Sequence, residues 1–127
     1  MATRVYICFD YDHDLALKNL LVGQAKNADS PFEISDWSIK DPSPGWKAEA
    51  TRRIRNSNQV AVICGEHTDT ATGVSEEIRI ARAESKPYFL LKGYPNRVCK
   101  RPTGALGTDK IYKWTWPNLK SLIAGNR

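Results

Sequence analysis

The 127-residue sequence predicts an α/β fold: a mostly parallel sheet of strand order 2-1-3-4-5 with helices on both faces. Two observations carry this. Short apolar runs alternate with stretches of helical periodicity along the whole chain, the pattern of a parallel sheet wound with crossover helices. Two of the runs, Val5–Phe9 and Val60–Cys64, are apolar at every position, as strands covered on both faces are. Placing those two in the middle gives the flavodoxin-like order.

The first strand, Arg4 to Phe9, stops at the acidic loop Asp10-Tyr11-Asp12-His13-Asp14. Asp12 or Asp14 is expected to cap the helix after it, with Leu17, Leu20 and Leu21 as its buried stripe and an end near Gly23. Phe32 to Trp37 alternates apolar and polar residues, the mark of an edge or half-exposed strand. A proline-containing loop, Asp41 to Gly45, leads to a second helix. Trp46, Ala50 and Ile54 fall one turn apart there, and Arg52, Arg53 and Arg55 are expected to face water. Gln59 to Cys64 is the second central strand. A polar loop, Gly65 to Gly73, feeds a third helix over roughly Val74 to Glu84, with Val74, Ile78 and Ala81 inward. Pro87 to Leu91 reads as a strand, Lys92 to Asp109 as irregular chain, and Lys110 to Tyr112 as a short last strand. Thr115 can cap a closing helix that buries Leu119, Leu122 and Ile123.

The length fits one domain over residues 1–127, and a composition 41% hydrophobic and 26% charged excludes a disordered chain. No apolar run reaches the roughly 20 residues of a membrane span, and no signal sequence precedes the first strand, so the cytoplasm is expected. A net charge of +5 permits an anionic partner without naming one. Three cysteines, two of them in apolar strands and none in a CxxC pair, fit reduced buried thiols; no metal site is expected.

In an open parallel sheet the site lies beyond the carboxyl ends of the strands. Here that rim is built by residues 9–14 and 65–73. The familiar devices of the fold are missing: no GxGxxG turn, no P-loop, no hydroxyl-rich loop after the first strand, and Cys64-Gly65 where a phospho-receiver carries its aspartate. What remains is a pair of adjacent acids at the start of the third helix. Glu77 lies one turn from Val74 and Ala81 and flanks the inward stripe, whereas Glu76 projects toward solvent. Either acid can simply complement the positive helix end. A half-buried carboxylate aimed at the rim is also a functional candidate.

Phe9-Asp10-Tyr11-Asp12, Asp36-Trp37-Ser38, Gly65-Glu66-His67-Thr68, Val74-Ser75-Glu76-Glu77-Ile78 and Trp114-Thr115-Trp116-Pro117-Asn118-Leu119 form an ordered set. Together they resemble the TIR-like domains of the Thoeris ThsB type, from bacterial anti-phage defence. The resemblance implies a TIR-type flavodoxin-like fold. It also implies an NAD glycohydrolase or cyclase that cuts the nicotinamide–ribose bond and yields a cyclic ADP-ribose-type signal for a separate effector protein. The family's catalytic glutamate, followed by an apolar residue, matches Glu77-Ile78, and Phe9 and Asp10 match its nucleotide cleft. Tyr11, Trp37, His67 and Trp114 join them as expected substrate contacts. NAD is substrate rather than cofactor, and no cofactor is expected.

Competing readings concern the same residues. A Cys64–His67 nucleophilic pair is disfavoured because Cys64 lies inside the sheet with no third orienting group. His13 reads as a surface residue and His67 as a hydrogen-bonded loop residue. Trp37, Trp46, Trp114 and Trp116 read first as packing, with Trp114 the best exception because it ends the last strand at the rim. The alternative function is a non-catalytic, self-associating interaction module that uses the Arg52-Arg53 face. Nucleic-acid binding has no recognition motif behind it.

Overall fold

The computed structural model describes residues 2–40 and 43–126; Asp41 and Pro42 of the expected proline loop lie outside the described residues. Five strands form one sheet: β1 (Thr3–Cys8), β2 (Phe32–Trp37), β3 (Gln59–Cys64), β4 (Tyr88–Lys92) and β5 (Ile111–Lys113). Every pairing is parallel and the order is β2-β1-β3-β4-β5. The helices are α1 (Leu15–Ala25), α2 (Trp46–Arg55), α3 (Thr72–Ala83) and α4 (Trp116–Ile123), with a 3₁₀ turn at Thr68–Thr70 ahead of α3.

Alternation along the strands sorts the core into two layers. Val5, Ile7, Ala61, Ile63, Phe89 and Leu91 meet Leu17 and Leu21 of α1 and Leu119, Leu122 and Ile123 of α4. Tyr6, Cys8, Val60, Val62, Cys64 and Leu90 meet Ile54 of α2 and Val74, Ile78 and Ala81 of α3. The two fully apolar runs are indeed the central strands β1 and β3, and all six residues of β3 are buried.

The β1–β2 ladder carries a register shift. Val5 pairs with Ile34 but Tyr6 pairs with Asp36, so Ser35 is an extra residue. Beyond the bulge the alternation changes phase. Trp37 now shares the α1–α4 layer with Phe32 and Ile34. Ser38, whose amide donates to Ile7 O at 3.0 Å, turns toward the α2–α3 layer.

The elements depart from expectation in five places. Leu20 is 54% exposed, because it lies on the flank opposite the buried Lys18 while Leu17 and Leu21 hold the stripe. The α1 helix runs through Gly23 to Ala25. Asp14 occupies the α1 N-cap position without a side-chain capping bond; its carboxyl is buried instead. Helix α3 starts two residues early, at Thr72. Arg53 does not face water: it pairs with Glu49 and Asp36 and donates to Trp37 O at 2.9 Å, tying α2 to β2. Thr115 caps α4 as expected, its hydroxyl accepting from Asn118 N at 3.2 Å. No helix among the described residues is long and apolar enough to cross a membrane.

Candidate active site

Tyr6 and Cys8 are two residues apart on β1 and so face the same layer. Glu77 comes down onto them from the second turn of α3, one turn after Val74. Ser38 arrives from the end of β2 by way of the bulge. These four side chains close a buried polar knot. The Glu77 carboxylate accepts from the Tyr6 hydroxyl, from the Ser38 hydroxyl at 2.6 Å and from the Cys8 thiol at 3.3 Å. Ser38 Oγ in turn accepts from Phe9 N at 3.1 Å. Glu77 is 2% exposed, and among the described residues no cation neutralises it by direct contact; Arg53 acts only at longer range.

Burial and hydrogen bonding pull the acidity of this carboxyl in opposite directions. Burial is the larger effect and raises the Glu77 pKa to about 6, against donation from Ser38, Tyr6 and Cys8. Burial and the adjoining Glu77 charge push the Tyr6 hydroxyl and the Cys8 thiol up, so both remain protonated donors. An ionised carboxylate offers about four acceptor sites. Three are in use, and the knot leaves room for a further donor.

That donor has a way in. A cavity of about 250 Å³ opens at the carboxyl rim over β1 and β2, with Glu77 and Ser38 among its lining residues. One wall is Phe9, Asp10, Tyr11 and Asp12, another is Lys40 and Trp46, and a third is the chain entering α3. Phe9 and Tyr11 lie 4.7 Å apart, ring centre to ring centre. Asp10 is fixed by accepting from Asp12 N at 3.1 Å and by His13 Nδ1 at 2.7 Å. That hydrogen bond, helped by the Asp10 charge, raises the His13 pKa.

The cavity therefore gathers Glu77, Phe9, Asp10 and Tyr11, and it leaves three expected contacts elsewhere. Trp37 is turned by the bulge into the α1–α4 layer, where Lys18 Nζ sits 4.3 Å over its ring. His67 lies in the loop before the 3₁₀ turn, stacked on His13 at 4.0 Å beside a separate 150 Å³ hollow. Trp114 comes after β5 at the far edge of the sheet, roughly 14 Å from β1 at the usual strand spacing. It donates to Gln24 at 2.9 Å. Glu76 points outward, paired with Arg79 at 2.5 Å and Lys47 at 3.5 Å.

Sequence reasoning missed Tyr6, Ser38, Lys40 and Trp46. Tyr6 was legible in principle, since strand alternation puts it beside Cys8. Ser38 was not: without the bulge its even number places it on the Phe32 face.

A model of the Thoeris protein ThsB TIR-like domain family matches residues 6–93, which include all four members of the knot. Among solved structures, the chain is similar to the TIR domain of the Toll-related receptor TRR-2 from Hydra magnipapillata. The TM-score is 0.60 and the identity 21%, over 96% of this chain and 92% of that one, a likeness of fold. No curated protein matches the sequence. With a family match over more than half its length and the five-stranded parallel fold of a TIR domain, the chain belongs to the Thoeris ThsB TIR-like domain family.

Proposed function

We propose that this protein cleaves the bond between nicotinamide and ribose in NAD, with Glu77 as the catalytic carboxylate. The observation that carries the reading is Glu77 itself: a buried carboxyl with a pKa raised to about 6, opening onto a rim cavity walled by aromatic rings. Catalytic acids and bases are found in such surroundings. A cavity of 250 Å³ is smaller than the roughly 300–1,000 Å³ of pockets for larger ligands. It suits one end of a dinucleotide, the nicotinamide and its ribose, with the rest of NAD outside.

The chemistry is set by the charge. When the glycosidic bond breaks, its electron pair leaves with the nicotinamide nitrogen and a cation develops at ribose C1′. The ionised Glu77 carboxylate stabilises that cation and accepts from the ribose hydroxyls. Water then captures C1′ to give ADP-ribose, or a nucleophile on the same molecule captures it to give a cyclic isomer that acts on a separate effector. At rest three side chains occupy Glu77. The remaining acceptor position takes one ribose hydroxyl, and turnover asks one of the three donors to make way for a second. This gives a physical reason for activity that depends on assembly or a trigger.

The three internal donors also favour a second reading, a non-catalytic interaction module in which the knot is only structural. Its suggested basic face is largely committed, since Arg52, Arg53 and Arg55 pair with Glu49, Asp36 and Glu84. Incubating NAD with the protein and following free nicotinamide separates the two. We expect release by the wild type and by Glu76→Gln, and loss of at least a hundredfold in Glu77→Gln. Undiminished release from Glu77→Gln would remove Glu77 from the reaction, and self-association without NAD turnover under any trigger would favour the module.

A further inference from the structure

Three of the four tryptophans, Trp37, Trp114 and Trp116, pack against the α1–α4 core. Trp46 packs against neither core cluster among the described residues; half-buried, it stands at the first position of α2 in the wall of the Glu77 cavity. Its ring already draws a cation, Lys47 Nζ at 6.0 Å from the centroid, a nitrogen also held by Glu76 at 3.5 Å. The charges around the same hollow are unequal. Among the described residues, Asp10, Asp12 and Glu77 line it against the single ammonium of Lys40. An indole face and an excess of carboxylates form an environment for a flat cation.

We infer that Trp46 and these carboxylates make the cavity selective for a positively charged N-substituted pyridinium ring, the form nicotinamide takes in oxidised NAD, over the neutral nicotinamide ring. The inference rests on the proposed NAD reaction for its ligand class but concerns binding, not turnover. It also assigns Trp46 a second effect. When the glycosidic bond breaks, the electron pair passes to the ring nitrogen, and the positive charge leaves the ring for ribose C1′ beside Glu77. The neutral ring then loses the charge-dependent part of its hold on Trp46 and Asp10, which favours its departure.

The test uses two probes that share a ring and differ in charge, 1-methylnicotinamide and nicotinamide, titrated into the full chain at pH 8. The indole N–H signals of the four tryptophans are followed by NMR, with Trp46 assigned through Trp46→Phe. We expect 1-methylnicotinamide to bind about tenfold tighter than nicotinamide, the size of a partly desolvated cation–π contact. The largest shift falls on Trp46, and selectivity is reduced in Trp46→Phe and lost in Trp46→Leu. Equal affinities, no binding of either probe, or full selectivity in Trp46→Leu would overturn the inference. The two claims fail separately. Selective binding without any NAD cleavage keeps Trp46 and removes the catalytic role of Glu77. Cleavage with an unchanged KM in Trp46→Leu does the reverse.

Discussion

Tyr6, Cys8 and Ser38 hold the proton affinity of Glu77 down while burial drives it up, and burial prevails. The folded protein thus binds this proton more tightly, near pH 6, than the unfolded chain does near 4.5. The stabilising contribution is complete below pH 4.5 and is lost as pH rises through about 6. A shift of this size corresponds to about 2 kcal/mol at neutral pH. Glu77→Gln, which keeps the shape without the charge, should therefore be more stable than the wild type in urea at pH 8 and equal to it near pH 4. A Glu77→Gln protein that melts earlier at pH 8 would show that the hydrogen bonds outweigh burial. Glu77→Ala leaves the Tyr6 and Ser38 hydroxyls without their acceptor and should be less stable than Glu77→Gln by roughly 1–3 kcal/mol. Tyr6→Phe removes one donor to the carboxylate, so the acid limb of NAD cleavage should move above pH 6. An unmoved limb would mean that the hydroxyl does not bear on the reacting state.

At the level of elements, the segment after β4 is pinned to the start of α3. Gly104 N donates to Ser75 Oγ at 2.9 Å, and a Cβ at Gly104 would stand 2.5 Å from Ser75 O and 2.8 Å from Ser75 Cα. These are helix backbone atoms that cannot step aside. Gly104→Ala should cost roughly 1–3 kcal/mol in denaturant unfolding, as overpacking does. Thr115→Ala, which removes a helix cap, should cost about 1 kcal/mol. Elements of this kind were legible where one local cause decides them. Uninterrupted apolarity marked β1 and β3, and the Val74–Ile78–Ala81 stripe fixed how α3 sits and aimed Glu77 at the sheet. The bulge at Ser35 was not legible, because nothing in Phe32-Glu33-Ile34-Ser35-Asp36-Trp37 announces where a ladder against a distant strand will slip. Its consequences are large: it sends Trp37 away from the cavity and brings Ser38 to it.

For the whole molecule, strand order sets which loops meet. With β2, β1 and β3 adjacent, the chain leaving each contributes to the cavity, and α2 and α3 close its sides. Trp114, beyond β5, and His67, which turns toward His13, are carried off to other parts of the same rim. Composition could place a site on that rim but could not choose among its hollows. The choice of this one rests on Glu77, and the acid limb of the reaction tests it most directly. Nicotinamide release from NAD should be measured from pH 5 to pH 8 for the wild type and Glu77→Gln. The account predicts a wild-type rate that climbs through an apparent pKa near 6 as the carboxylate ionises, and no corresponding rise in the variant. A flat wild-type profile, or the same climb in Glu77→Gln, would contradict it.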